Sequence, residues 1–320
     1  MTAKKILIVQ FGRIGDLILM TPMFQAIKDA NPENRVHLLA GRNNYHFALD
    51  YPLIDKVHVY EKKPWKTVQF ILSLKKERFD FWIDPKDHLS IESYFFAKFA
   101  AAGFKVGFHS ERRPLFDRTV PIDKEQAGLH AVERNLYALQ LAGIAATVHR
   151  PVLFTDGEND QCLNAFLSRN KIKRYLCINV SANKKERYWL KEKWIELVGR
   201  LGYFDQHILF ISKPEDMEML KRLSQKDGRV FVYPTASVKS VFSVIKKADL
   251  LITPDTAVIH IAGAFNTPVI GLYAGHQANL IKFRPLSDHS RVIQDPISVR
   301  TIQHIEVDTV FNAVQDILKN

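Results

Sequence analysis

The sequence of 320 residues has little cysteine and no long apolar run. Its 2 cysteines, Cys162 and Cys177, provide neither a disulfide framework nor a CxxC metal pair, which is typical of a reducing compartment such as the cytoplasm. No window approaches the ~18 consecutive apolar residues of a membrane-spanning helix. The first residues lack the apolar stretch and cleavage site of a signal peptide. We therefore expect any membrane contact to be peripheral.

The sequence also lacks the short motifs of several large enzyme classes. It has no GxxxxGK[ST] phosphate loop, no GxSxG nucleophile elbow and no HExxH zinc motif. The absence of GxGxxG disfavours a nicotinamide dehydrogenase. There is no DxD triplet to hold a divalent ion and no cluster of cysteine and histidine in the sequence. We therefore predict neither a bound metal nor a cofactor.

The charge balance is strongly positive. Lys and Arg number 45 against 34 Asp and Glu, which gives a formal net charge of +11. This excess favours an acidic partner such as a nucleotide, a phosphorylated glycan or an anionic membrane surface. Nucleic acid is disfavoured because the basic residues are dispersed and no recognition motif accompanies them.

Short apolar runs alternate with helical patterns along the whole chain, which predicts parallel α/β sheets. The halves read as two doubly wound, Rossmann-like domains facing a cleft, over residues 1–155 and 156–320, with a linker near 145–165. The last helix could return to the first domain. Ligands of such sheets bind at the carboxyl ends of the strands. The predicted strands are 6–10, 36–40, 56–60, 79–84, 105–108, 175–180, 207–212, 229–234, 249–253 and 269–274.

The loop after the first strand reads FGRIGD and contains Asp16. Its two glycines permit a tight loop with close ligand approach, and the carboxylate could meet a substrate hydroxyl. Pro22 suits the first position of a helix with Thr21 as N-cap, which would leave Asp16 before that helix. The alternative is that Asp16 only caps a short helical turn.

Three later segments could bind an anion. The loop SANKKERYW combines cations, small polar side chains and the start of a helix near 190, which suits a diphosphate, although a solvated basic loop is the alternative. In TPDTAVIH, a strand ends and a helix begins. Glu215 could contact a ribose hydroxyl. The candidate residues are Ser181, Asn183, Lys184, Arg187, Glu215, Asp255, Thr256 and His260.

Several basic side chains lie in polar loops of the first half. If these loops line the same cleft as Asp16, their side chains could bind an anionic acceptor, although each loop alone is more often simply solvated. The candidates are Arg13, Arg42, Lys86, His88, Arg112 and Arg113.

Three segments carry a resemblance to a known family: ILIVQFGRIGDLILMTPMFQAIKDANP, HAVERNLYALQLAGI and LLITPDTAVIHIAGAFNTPVIGLYAG. In this order and spacing they resemble glycosyltransferase family 9, the lipopolysaccharide heptosyltransferases, which have GT-B architecture. The resemblance implies inverting transfer from a nucleotide-sugar donor, usually ADP-heptose, to a phosphorylated lipopolysaccharide-core acceptor. It also implies a bacterial cytoplasmic enzyme, with peripheral contact at the cytoplasmic face of the inner membrane.

The resemblance also implies roles for individual residues. Asp16 matches the family's general base, Arg187 a basic residue before a tryptophan, and Asp255, Thr256 and His260 the donor site. Ala257 stands where the family often has glycine. The alternatives are another nucleotide sugar for O-antigen or capsule synthesis, and a nucleotide- or glycan-binding protein without catalysis. The oligomeric state stays open.

Overall fold

The protein divides into two compact units, Met1–Val152 and Leu153–Asn320. This computed structural model describes residues 2–86, 88, 90–108, 115–120, 128–146, 148–224 and 227–319. The division falls three residues before the predicted boundary at 155. Val152 belongs to the first unit because its N–H donates to Thr21 Oγ1 at 2.8 Å and its carbonyl accepts from the Tyr51 hydroxyl at 2.6 Å.

The first unit is built on a six-stranded sheet of order β3-β2-β1-β4-β5-β6. All its neighbouring strands pair in parallel. The strands are β1 (Lys5–Gln10), β2 (Arg35–Gly41), β3 (Lys56–Tyr60), β4 (Phe79–Ile83), β5 (Ala102–Gly107) and β6 (Arg118–Thr119). The described helices are α1 (Ile14–Ile18), α2 (Thr21–Ala30), α3 (Tyr45–Leu49), α4 (Pro64–Glu77), α5 (Ile91–Phe99) and α6 (Ala131–Leu141).

The second unit repeats this plan, with the strand order β12-β11-β10-β7-β8-β9. Its strands are β7 (Tyr175–Asn179), β8 (His207–Ile211), β9 (Val230–Val232), β10 (Leu250–Pro254), β11 (Val269–Tyr273) and β12 (Ser290–Gln294). Its described helices are α7 (Gly157–Arg169), α8 (Lys191–Leu201), α9 (Met217–Ser224), α10 (Val238–Lys247), α11 (Ala257–Phe265), α12 (Gln277–Phe283) and α13 (Val307–Lys319). The predicted α/β class with two doubly wound sheets is confirmed.

The central strands are continuous apolar runs because parallel sheets are covered on both faces. In the second unit, β7, β10 and β11 are buried at every position. Trp189 and Trp194 pack edge to face with ring centroids 4.8 Å apart, and Trp189 Nε1 donates to the Ile305 carbonyl at 2.9 Å. The last helix, α13, packs on α8 and against β11 and β12 of its own unit.

Two local predictions were wrong. Helix α7 begins inside the predicted linker and covers its residues 157–165, because Asp156 caps it by accepting from the Asn159 N–H at 2.8 Å. Only Leu163 of this helix is buried, so the sequence shows no apolar stripe. Thr21 is the first residue of α2 rather than its cap, and its hydroxyl donates to the Ile18 carbonyl. Asp16 lies before α2, in the short helix α1, which corresponds to the helical turn that the sequence analysis considered.

Strands β6 and β12 were not predicted either. β6 has only two residues, which is too short for an apolar pattern to appear. β12 lies at the edge of its sheet and exposes Arg291 and Val292. Among the described helices, none is both long enough and apolar enough to cross a bilayer.

Candidate active site

Asp16 lies in the turn that follows β1, and one of its two carboxylate oxygens is held in place. Oδ2 accepts a hydrogen bond from the Arg13 N–H at 3.1 Å, which caps α1. Oδ1 accepts no hydrogen bond from the residues that the structure describes, and Asp16 forms no ion pair with them. The capping role considered from sequence is thus present, and one oxygen remains available to a ligand.

Gly12 lets two side-chain oxygens approach the backbone of this turn. A Cβ at Gly12 would lie 2.7 Å from Asp16 Oδ2 and 2.7 Å from Gln10 Oε1, which is closer than real Cβ contacts. Gln10 Oε1 also accepts from the Gly12 N–H at 2.7 Å. The absent side chain therefore lets Asp16 and Gln10 converge on the loop backbone.

The loops after β2 and β4 meet the loop after β1 at the same edge of the sheet. A Cβ at Gly41 would lie 2.9 Å from the Phe11 carbonyl, and Asn44 Nδ2 donates to the Gln10 carbonyl at 2.8 Å. Lys86 Nζ lies 5.3 Å from the centre of the Phe11 ring. Arg42 and Lys86 therefore belong to loops that adjoin the Asp16 turn.

The candidate residues for acceptor binding differ in how far they are exposed to solvent. Arg13 and Arg42 are exposed, Lys86 is half-buried and His88 is exposed. Arg112 and Arg113 lie outside the described residues.

A second carboxyl, which the sequence analysis did not single out, lies near this turn. Asp84 follows β4 directly and is 3% exposed, and burial raises the pKa of its carboxyl. It lies one residue beyond the Ile8–Ile83 pair that aligns β1 with β4. The Lys86 N–H donates to Asp84 Oδ1 at 3.3 Å. Nothing distinguished this residue in the sequence, because a carboxylate after a strand is common.

In the second unit, a pocket of about 310 Å³ opens at the carboxyl ends of β7, β8 and β10. The first residues of α10 and α11 contribute to its lining, so the N-terminal ends of two helices border it. Thr256 caps α11 and accepts from the Val258 N–H at 3.4 Å. The lining combines small polar and aliphatic residues: Asn179, Ser181, Ala182, Asn183, Ile211, Ser212, Lys213, Pro214, Thr235, Ser237, Val238, Val241, Thr256, Ala257 and Val258.

The second unit also has a basic pocket of about 600 Å³. Its lining residues Lys184 and Asp255 are next in sequence to Asn183 and Thr256, which line the first pocket. Four Lys and Arg side chains and a histidine contribute to it. The lining is Lys184, Lys185, Glu186, Arg187, Asp255, Ala274, His276, Asn279, Val299 and Arg300. This concentration of positive charge suits a phosphate ligand.

Asp255 is already occupied by side chains of the protein. Its Oδ2 lies 2.9 Å from Arg187 Nη1 and accepts from Asn279 Nδ2, also at 2.9 Å. Asp255 is therefore a positioning residue that holds Arg187 in the basic pocket.

Of the predicted donor-site residues, all of which the structure describes, Glu215 and His260 lie outside both linings. Glu215 is exposed on the 3₁₀ helix Pro214–Asp216. Its neighbour Asp216 instead accepts from the Ser181 hydroxyl at 2.5 Å. His260 is buried, with its ring centroid 6.1 Å from that of Phe283.

The sequence analysis missed His276, Asn279 and Arg300 as lining residues. They come from the segment after β11 and from the segment after β12, a strand that was not predicted. A Cβ at Gly275 would lie 3.0 Å from the Asp295 carbonyl, so this glycine permits the two segments to meet. Such a contact has no local signature in the sequence.

The fold also gathers three potential metal ligands that the sequence separates. His37 Nδ1 and His58 Nε2 lie 3.0 Å apart, and Glu77 completes the group. Glu77 is paired with Lys5 and Lys56. The sequence shows no cluster of histidine and cysteine, but the fold brings two histidines and a glutamate together. His37 is near the start of β2, away from the carboxyl ends that carry Asp16.

Comparison with known proteins identifies the family. The sequence profile of glycosyltransferase family 9 (heptosyltransferase) matches residues 67–305, about three quarters of the chain. The chain belongs to this family.

Glycosyltransferase family 9 is also represented among the curated relatives and solved structures. The chain is 22% identical to the lipopolysaccharide core heptosyltransferase OpsX of Haemophilus influenzae, over 91% of this chain and 84% of that protein. Its fold is similar to that of a family 9 glycosyltransferase from Veillonella parvula, with a TM-score of 0.81, 18% identity and coverage of 99% and 97%. The Escherichia coli heptosyltransferase WaaC with ADP-2-deoxy-2-fluoro heptose has a TM-score of 0.74, 19% identity and coverage of 98% and 99%.

Proposed function

We propose that this family 9 enzyme transfers heptose from ADP-heptose to a phosphorylated lipopolysaccharide-core acceptor, with inversion at the anomeric carbon and Asp16 as general base. The single observation that supports the catalytic part of this proposal is the hydrogen bonding of the Asp16 carboxylate. One oxygen is fixed by the Arg13 N–H while the other accepts nothing from the described residues. Such a carboxylate is oriented and can still take a proton.

In the proposed reaction, the acceptor hydroxyl loses its proton to Asp16 as its oxygen attacks the anomeric carbon. The bond between that carbon and the diphosphate breaks, and ADP leaves with the bonding electron pair. Attack from the face opposite the leaving group inverts the configuration. Asp84 is a less suitable base, because it is buried and burial favours its protonated form.

The donor assignment is supported by the two pockets of the second unit. The smaller pocket, with Ile211, Val238 and Val241 in its lining, suits a nucleoside. The basic pocket suits the diphosphate, where Lys184, Arg187 and Arg300 would stabilise the leaving group. WaaC, whose fold is similar, is known with an ADP-linked heptose analogue. We propose that these cations replace a divalent ion, so that transfer requires neither metal nor cofactor.

The acceptor assignment rests on the basic loops around Asp16. Arg13, Arg42 and Lys86 border the turn and would attract the phosphates of a lipopolysaccharide core. OpsX of H. influenzae is a lipopolysaccharide core heptosyltransferase, which supports this substrate class. We further propose that the enzyme acts in the cytoplasm at the surface of the inner membrane.

The test is a transfer assay with ADP-heptose and a set of core acceptors truncated at successive positions. We expect ADP release, a heptosylated product with inverted anomeric configuration by NMR, and full turnover in excess chelator. Asp16→Asn should keep the cap, because Asn also accepts from the Arg13 N–H, while transfer falls about 10²–10⁴-fold.

Asp29→Asn is the matched control, because Asp29 is an exposed carboxylate of the same unit that contacts Gln25. Its turnover should equal that of the wild type. Near-normal turnover of Asp16→Asn would remove Asp16 from the mechanism. Nucleotide binding without turnover on any acceptor would favour the non-catalytic alternative, and turnover only with another nucleotide sugar would favour the other donor.

A further inference from the structure

Six large apolar side chains are exposed on two neighbouring helices of the first unit. On α4 they are Trp65, Val68 and Leu72, with 74%, 65% and 52% of their surface exposed. On α5 they are Ile91, Phe95 and Phe99, with 80%, 41% and 42% exposed. The spacings are three and four residues on α4 and four and four residues on α5, which places each set along one face of its helix. We call this surface the α4–α5 face.

The two helices form one continuous surface. Phe70 of α4 and Phe96 of α5 have ring centroids 5.4 Å apart, and both pack on the same apolar cluster of the sheet. Lys62, just before α4, is paired with Glu92 of α5 at 2.5 Å. The exposed apolar residues therefore lie side by side on two packed helices instead of being scattered singly, which marks an interaction surface.

Positive charge accompanies these apolar side chains. Lys75 and Lys76 end α4, Lys98 lies between Phe95 and Phe99, and all three are exposed. They form no ion pair with any residue of the described ranges. The carboxylates Glu61 and Glu92 are paired with lysines. The pattern of aromatic and aliphatic side chains with unpaired lysines is that of a surface that enters an anionic bilayer.

We propose that the α4–α5 face docks on an anionic lipid bilayer. This inference rests on the part of the proposed function that sets the enzyme at a membrane surface, and it deepens that part by naming the face that binds lipid. Its test is a lipid-binding measurement, so its failure would leave the proposed sugar transfer standing. The topology gives it a consequence for the site: α4 follows β3 and α5 follows β4, so both helices start near the carboxyl ends of the strands. Trp65 and Ile91, the most exposed residues of each set, lie at these starts. Docking would thus bring lipid close to the Asp16 edge of the sheet.

The test uses the full chain and vesicles of phosphatidylglycerol and phosphatidylethanolamine in equal amounts, with phosphatidylcholine vesicles for comparison. We expect flotation with the anionic vesicles only, weakened by salt because surface attraction is screened beyond ~8 Å at physiological ionic strength. Trp65→Ser combined with Phe95→Ser should lower the partition coefficient about tenfold or more. Tyr203→Ser is the matched control, since Tyr203 is 78% exposed on the other unit.

Charge is tested separately from apolar contact. Lys75→Glu with Lys76→Glu should abolish binding to anionic vesicles. The matched control is Lys246→Glu with Lys247→Glu, an equal charge change at the last turn of α10. Equal binding of the two double variants would show that only net charge matters and would overturn the assignment to this face.

Tryptophan fluorescence locates the contact without relying on a loss of function. Trp65 is 74% exposed, whereas Trp82, Trp189 and Trp194 are 0%, 3% and 1% exposed. Brominated lipid in the anionic vesicles should therefore quench Trp65 alone, and Trp65→Phe should still float but lose that quenching. Flotation of the wild type without quenching would overturn the proposal. So would an absence of flotation together with a dimer, measured by sedimentation, that Trp65→Ser dissociates.

Discussion

Arg187 and Asp255 are held to each other in the basic pocket of the second unit by two contacts. Arg187 Nη1 lies 2.9 Å from Asp255 Oδ2 and 3.3 Å from the carbonyl oxygen of the same residue. One residue follows β7 and the other follows β10, so the pair joins two loops of the second unit. Their side chains are 28% and 10% exposed, which limits the screening of the pair by solvent. The guanidinium is therefore oriented before a ligand arrives.

We predict that Arg187→Met lowers the free energy of unfolding by about 1–3 kcal/mol, because it leaves a largely buried carboxylate with less compensation. Arg174→Met is the matched control. Arg174 Nε lies at the same 2.9 Å from Asp249 Oδ2, but its side chain is 65% exposed. Arg174→Met should lower the free energy of unfolding by less than about 1 kcal/mol. Urea unfolding of both variants measures the difference, and equal losses would contradict the role given to burial.

Nucleotide affinity should depend on Lys184 and Arg300, two of the exposed cations of the basic pocket. Lys184→Gln with Arg300→Gln should weaken ADP binding about tenfold or more, because charge-assisted contacts to phosphate are lost. Lys173→Gln with Arg291→Gln removes two exposed charges of the same unit outside the pocket and should leave the affinity unchanged. Calorimetric titration with ADP measures both. We also expect ADP to raise the melting temperature more than UDP, GDP or CDP does. Equal ADP affinity of the two double variants would show that the basic pocket does not bind the nucleotide and is only a solvated basic surface.

The turn around Asp16 should not tolerate a methyl group at Gly12. We predict that Gly12→Ala reduces transfer about 10²-fold, since a misplaced catalytic group has an effect of that size. ADP affinity should not change, because the two pockets proposed to bind the nucleotide lie in the second unit. Gly199→Ala is the control, because a Cβ there meets nothing within 4 Å and α8 should become slightly more stable. Wild-type turnover of Gly12→Ala would show that the position of Asp16 is not critical.

The stability of the protein should fall in mild acid because of the paired histidines. Burial lowers the pKa of His37 to about 4, and burial together with His37 lowers the pKa of His58 to about 4. Between pH 4 and pH 6.5 the unfolded state, with a histidine pKa near 6.5, therefore binds more protons than the folded state. The stability of the folded state that depends on uncharged His37 and His58 is complete above pH 6.5 and is lost as the pH falls toward 4.

We expect the free energy of unfolding to decrease between pH 6.5 and pH 4.5, by up to about 1.4 kcal/mol per pH unit for each proton taken up. Glu77 titrates below this window. Burial raises its pKa, but hydrogen bonds from Lys56 and Lys5 outweigh burial and lower the pKa to about 2. Urea unfolding across the window should give a smaller slope for His37→Gln with His58→Gln. An unchanged slope would assign the acid sensitivity to other groups.

Much of the fold could be predicted from the sequence because it depends on local patterns. Apolar runs such as those of β1, β7 and β10 are continuous because both faces of a parallel sheet are covered. Glycine in the turn after β1 and threonine at the start of α11 follow from backbone geometry and capping. The three segments that resemble the family identified it correctly. These features depend on neighbouring residues, and so the sequence determined them by itself.

Only the tertiary structure decided which side chains meet. The ion pair that orients Arg187, the lining position of Arg300 and the approach of His37 to His58 each join residues from different strands or loops. Nothing in either local segment records such a partner, because the parallel sheet brings together strands that are far apart in the chain. The exposure of Trp65 and Phe95 is decided in the same way. An apolar side chain at helical spacing is predicted to be buried, and only the packing of α4 and α5 on the sheet shows which face remains outside.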